Sequence, residues 1–256
     1  MKVSAVNENT IMVYFSESVS PDVAAKIANA VPLLQSRLGQ FIIDIIPSYT
    51  SIMVSFDLVS IGMRDFSALL QSALLESGDT SRLAETKTIE LPVYYGREVA
   101  LDADDICAHT GLSFDEVVKI HSSTSYRVYA IGFAPGFAYL GNTDKRIEIP
   151  RKQTPRFKVP KGSLALADRQ TAIYPKQSPG GWQIIGRTPL DLIDFERENL
   201  TVFEMGAQVK FTAIDRQTFL DMGGVLFPEE IERAASMTRN SNLSGRMAED
   251  RDREVA

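Results

Sequence analysis

The side chains that carry out most metal and nucleophilic chemistry are scarce in this chain: among 256 residues there are two histidines, His109 and His121, and one cysteine, Cys107. That set cannot build a zinc finger, an iron–sulfur site or a three-histidine metal centre. Cys107 and His109 stand two apart, so a helix would point them to different faces. The sequence holds no GxxxxGK[ST] phosphate loop, no GxGxxG after a strand and no GxSxG elbow. Any chemistry has to come from three other segments.

The first is Gly-Phe-Ala-Pro-Gly-Phe-Ala-Tyr-Leu-Gly over 132–141. Its glycines and proline fix the backbone path and send Phe133, Phe137 and Tyr139 to one side. It is either a pocket wall or a turn that plugs a barrel end. The second runs from Lys145 to Lys161 and carries seven positive charges against the single Glu148, with Pro150, Pro155 and Pro160 at intervals of five. Arg151 and Arg156 on so stiff a backbone suit bidentate capture of a carboxylate or phosphate. A solvated basic loop is the equal alternative. The third holds Gln170, Tyr174, Ser178-Pro-Gly-Gly-Trp182 and Arg187. Gly180 and Gly181 permit positive φ and let a ligand approach main-chain N–H groups. Ser178 has no histidine beside it in sequence, which weakens a nucleophile reading. His121 closes a helix, where it is either a structural hydrogen-bonding residue or the general acid/base of the cluster.

These segments need a frame. Lys2–Val6 and Thr10–Phe15 read as a strand pair around Asn7–Asn9. Ser20-Pro21 starts a helix along which Val23, Ile27, Val31, Leu34 and Leu38 recur until Gly39, with Pro32 expected to kink or split it. Phe41–Ile46 and Ser51–Phe56 form a second strand pair, and Met63–Ser77 a second helix burying Phe66, Leu69, Leu70, Ala73 and Leu74. The fold class expected is thus an α+β N-terminal domain, β-β-α-β-β-α, over 1–84. The polar stretch Gly78–Thr88 marks its boundary. A strand at Ile89–Tyr95 and short helices at Ala103–Thr110 and Phe114–Ser122 follow, the second with a Ser113–Glu116 capping box. Residues 132–189 hold seven glycines and seven prolines, half of the chain's total, which favours short strands over helices. Leu164–Ala167, Thr171–Tyr174, Gln183–Gly186, Leu192–Asp194 and Gln208–Thr212 are strand-length pieces at barrel spacing, so 85–226 reads as a mainly-β domain. Residues 227–256 read as a charged tail, helical or disordered.

The composition is 44% hydrophobic and 23% charged, with formal net charge −6. It fits a globular protein and argues against a general nucleic-acid binder. The helix–Gly turn–helix rhythm of Asp105–Lys119 resembles a helix-turn-helix. Five acids between Asp102 and Ile120 would meet phosphate with the wrong sign, so a helical hairpin packed on the barrel is preferred. The single cysteine fits a reducing cytoplasm. Met1–Phe15 lacks the form of a signal peptide, and no apolar run has membrane-spanning length, so no membrane partner is expected.

Leu91–Gly96, Ile120–Ser123, Tyr126–Tyr129, Gly132–Gly141, Pro150-Arg151, Pro155-Arg156, Val159–Ser163, Gln170–Trp182 and Ile185–Pro189, with Pro47–Asp57 earlier, resemble the allophanate hydrolase subunit 1 family over about residues 1–215. The resemblance implies a cyclophilin-like β-barrel as the second domain. It also implies work as the B subunit of an ATP-dependent 5-oxoprolinase, opening the lactam 5-oxo-L-proline to L-glutamate together with subunits A and C. A lactam is a poor electrophile, and phosphorylation of its amide oxygen by ATP would activate it for attack by water. ATP with Mg2+ would serve the complex, none being tightly bound by this chain. In this reading His121 would be the acid/base, as the one plausible histidine near the motif cluster. Arg151, Arg156, Gln170, Ser178, Gly180, Gly181, Trp182 and Arg187 contact substrate, and Phe133, Phe137, Tyr139 and Tyr174 form the pocket wall. The competing reading is a regulator that inhibits a sensor histidine kinase through Phe133, Phe137, Tyr139 and Trp182. The chain departs from the family at Asp168-Arg169, where small residues usually precede the glutamine, and at Asn142–Lys145.

Overall fold

The computed structural model describes residues 1–76, 88–196 and 200–226. The expected linker up to Lys87, the domain boundary at 84/85 and the tail 227–256 lie outside the described residues. By spatial contact the chain groups into two compact units, one of 1–90 with 125–142 and 192–210, the other of 91–124, 143–191 and Phe211 onward.

The first unit opens with β1 (Lys2–Asn7), β2 (Thr10–Tyr14), α1 (Pro21–Leu38), β3 (Ile42–Pro47), β4 (Ser51–Phe56) and α2 (Met63–Glu76). The four strands make an antiparallel sheet in the order β1-β2-β4-β3. Alternation along β2 and β4 sends Ile11, Val13, Ile52, Val54 and Phe56 into one core with Ile27 and Leu34 of α1 and Phe66 and Leu70 of α2. Each such side chain contributes roughly 1.5–3 kcal/mol by leaving water. Leu69, expected inside, is 42% exposed. The Ser20 hydroxyl accepts from the Val23 N–H at 3.2 Å and Pro21 takes the first helical position, so α1 starts where its capping residues place it. The expected split at Pro32 does not occur, and α1 runs unbroken to Leu38. The buried stripe of Ile27, Ala30, Leu34 and Leu38 outweighs the one hydrogen bond the proline removes.

In the second part of the chain β5 (Thr88–Tyr94) leads to α3 (Ala103–Thr110) and α4 (Phe114–Ser123). Gly111 ends α3 in the left-handed conformation, at φ 72°, and the Ser113–Glu116 capping box opens α4. β5 joins β6 (Ser125–Ile131), β7 (Ala138–Gly141), β9 (Ser163–Ala167), β10 (Gln170–Ile173), β12 (Gln183–Arg187) and β13 (Gln208–Ile214). These seven strands close into a barrel in the order β10-β7-β6-β13-β5-β12-β9. β8 (Arg156–Val159) and β11 (Ser178–Gly180) form a separate two-stranded ribbon. Two expectations change here. Leu192–Asp194 is not a strand but a single bridge from Ile193 to Thr201, and the glycine-rich 132–141 segment ends in a strand whose Ala138 and Leu140 are buried. The two-residue turn Asp168-Arg169 joins β9 to β10 with Asp168 at φ 51°. Aspartate is among the few side chains that accept that region, so it serves where small residues usually stand.

Candidate functional site

In the first unit the 132–141 segment is a closed loop. The Gly132 N–H donates to the Phe137 carbonyl and the Phe137 N–H to the Ala134 carbonyl, each at 3.0 Å. Phe133 sits at φ 73°, a conformation that costs a bulky residue roughly 1–2 kcal/mol, and is 67% exposed. Its ring packs edge-on against buried Phe137, 5.2 Å between centroids, and Phe137 packs on Tyr139 at 4.9 Å. Tyr49 of the β3–β4 turn meets Tyr139 and stacks on Tyr129.

In the second unit His121 is fully buried on α4. Its Nδ1 lies 2.9 Å from the Tyr95 hydroxyl and its Nε2 3.0 Å from the Thr171 hydroxyl. Thr171 spends its one hydroxyl proton on the Ala165 carbonyl at 3.0 Å. Nε2 therefore carries the hydrogen and donates to Thr171, while Nδ1 accepts from Tyr95. The ring stacks on Phe211 at 5.0 Å, and burial pushes its pKa down to about 3. This geometry makes His121 a neutral structural residue, the first of the two alternatives left open by the sequence.

The basic segment is pinned by an aspartate. Asp102, whose side chain is 1% exposed, precedes α3. Its carboxylate accepts from Arg156 Nη1 at 2.8 Å and Nη2 at 2.6 Å, from Lys152 Nζ at 2.8 Å and from the Ile184 N–H at 2.7 Å. Lys152 also reaches Asp105 at 3.0 Å. The Arg156 fork, expected to hold a substrate anion, is thus occupied inside the protein. Arg151, five positions before Arg156, is exposed and lies with its guanidinium 5.6 Å from the centre of the buried Trp182 ring. The Lys152 N–H donates to the Gly181 carbonyl at 2.7 Å, and the Gln183 amide to the Pro150 carbonyl at 3.1 Å.

Gly180 and Gly181 do not use the positive φ open to them, and Gly180 ends strand β11, which pairs with β8. A Cβ on Gly180 would collide with the hydroxyl of buried Tyr174, so the glycine there makes room for a side chain. Gln170 opens β10 and Ser178 pairs with Val159. Arg187 donates from Nε to the Lys161 carbonyl at 2.9 Å and from Nη1 to the Val225 carbonyl. A shallow recess of about 350 Å3 lies among Tyr95, Gly96, Arg97, Ser113, Phe114 and Asp115, and of the expected site residues none lines it. Asp102 escapes sequence reasoning because it stands in a run of acids that reads as solvated. A signal exists all the same: seven positive charges in one short segment of an acidic protein are candidates to pair with acids elsewhere in the chain.

The model of the carboxyltransferase domain, subdomain C and D, matches residues 1–203. The chain belongs to this family. It is 33% identical over 229 residues to the B subunit of 5-oxoprolinase from Bacillus subtilis, covering 85% of this chain and 95% of that protein. It is 43% identical over 127 residues to the B subunit of 5-oxoprolinase from Escherichia coli O157:H7, covering 50% of this chain and 58% of that one. The solved structure of TTHA0988 superposes with a TM-score of 0.71 at 28% identity over 87% of this chain. The chain spans 42% of that longer protein. The resemblance read from the motifs holds at the level of the family.

Proposed function

We propose that this chain is the B subunit of an ATP-dependent 5-oxoprolinase, working with subunits A and C to open 5-oxo-L-proline to L-glutamate. The observation that carries the reading is the near end-to-end match to a protein of that name. In this reading the barrel is cyclophilin-like, and Arg151 on the Trp182 face takes the substrate carboxylate, an arrangement suited to a planar anion. In the same reading Gln170, Gly180 and Gly181 are further substrate contacts, and Gly181 is tied to the arginine segment by accepting from the Lys152 N–H at 2.7 Å. Arg156, Arg187 and Tyr174 support the backbone that presents it.

The sequence has no GxxxxGK[ST] phosphate loop, and among the described residues no group of three or more His, Cys, Asp or Glu could hold a metal ion. No step through ATP is assigned to this chain. Of the four aromatics offered for kinase docking, Phe137 and Trp182 are buried and Tyr139 is partly so, which leaves Phe133 as the one well-exposed ring. Co-purification separates the readings. Recovery of this chain with two further oxoprolinase subunits supports the enzyme, and capture of a histidine kinase in their absence contradicts it.

A further inference from the structure

We propose that Asp102 is a positioning residue for substrate binding: it fixes the Pro150–Arg156 segment so that Arg151 stays over Trp182. The inference rests on the 5-oxoprolinase reading and deepens it. Four hydrogen bonds converge on the Asp102 carboxylate, two from Arg156, one from Lys152 and one from the Ile184 N–H. Both neighbours of Arg151 are held as well, Pro150 through its carbonyl to Gln183 and Lys152 through its N–H to Gly181 and its ammonium to Asp102. Arg151 itself has no acidic side chain within 4 Å among the described residues; its contact is the indole face. The anchoring therefore consumes the two cations that follow Arg151 and leaves this one presented.

Burying a carboxylate with two cations brings little net stability over apolar packing of the same volume. What it supplies is one geometry. Removing the charge of Asp102 would release Lys152 and Arg156 together, and Arg151, directly before Lys152, would lose its fixed place over the ring. The entropy of re-ordering that arginine would then weigh against substrate binding.

The test uses the assembled complex with 5-oxoproline and, separately, the full chain. Arg151→Ala should raise KM by at least about tenfold with kcat within about threefold, as loss of a charge-assisted contact does. Asp102→Asn should raise KM about tenfold, and should add nothing further in the Arg151→Ala background. Trp182 is the chain's only tryptophan, so its fluorescence reports this place alone. Acrylamide quenching of that emission should at least double in Asp102→Asn. If Asp102→Asn lowers the folded fraction, Lys152→Met, which cuts one anchor and keeps the Asp102–Arg156 pair, should show the same signs at smaller size. KM unchanged in the folded Asp102 and Lys152 variants, with KM raised by Arg151→Ala, overturns the positioning role alone. A fall in kcat with KM and quenching unmoved also overturns it, since that is what a purely structural residue gives. A wild-type complex that does not turn over 5-oxoproline defeats the functional reading instead, and the quenching experiment then decides the Asp102–Arg151 relation by itself.

Discussion

At the scale of single residues, His121 shows how burial selects between two roles open to one residue type. A histidine ordinarily titrates near 6.5, but this ring is held neutral by desolvation, with its pKa pushed down to about 3. Unfolding returns it to water, where it binds a proton below about pH 6.5. The unfolded state therefore gains protons as the pH falls, and the stability this group contributes is whole above pH 6.5 and is lost on the way down to about 3. Between pH 7 and pH 5 that amounts to about 2 kcal/mol. Urea midpoints of the wild-type chain and of His121→Gln at both pH values check it. The wild type should lose about 2 kcal/mol more than the variant, and equal losses would show that His121 is not buried neutral. The sequence placed the histidine at the end of a helix correctly, but it could not reveal Tyr95, Thr171 and Phe211 around it. Those partners come from 26 and 50 positions away for the two hydroxyls, and from β13 for the ring.

Elements with local signals were legible. Ser20-Pro21, the Ser113–Glu116 box and Gly111 mark helix ends by their own chemistry, and α1, α3 and α4 begin or end there. Signals that depend on partners far along the chain were not. Leu192–Asp194 has the composition of a strand but, among the described residues, pairs only through one bridge, whereas β7 lies hidden in a glycine-rich run because its burial is supplied by other strands of the barrel. The same holds for Arg156. Its proline-bracketed setting reads as an anion clamp, yet β8 carries it to the residue before α3, where Asp102 fills the fork. Arg156→Met leaves a buried carboxylate with fewer partners, and should cost on the order of 2–3 kcal/mol. For a chain of this size that is roughly 5–10 °C in melting temperature. The exposed neighbour supplies the control: Lys158→Met should stay within about 0.5 kcal/mol. Equal melting curves for the two variants would contradict the placement of Arg156.

Across the whole molecule, the described residues bring together no complete catalytic constellation. The histidine is sealed, the arginine fork is internal, and Ser178 lies on a strand paired with β8. Among the described residues no helix is long and apolar enough to cross a membrane. A chain of this make-up would contribute a surface and a substrate contact to chemistry completed by other subunits. The direct measurement is ADP release on adding 5-oxoproline, made with this chain alone, with subunits A and C alone, and with all three together. Release should occur only with all three present, and Arg151→Ala should weaken it through KM. Sustained release by this chain in a preparation free of other proteins, or full release by A and C without it, would contradict the account.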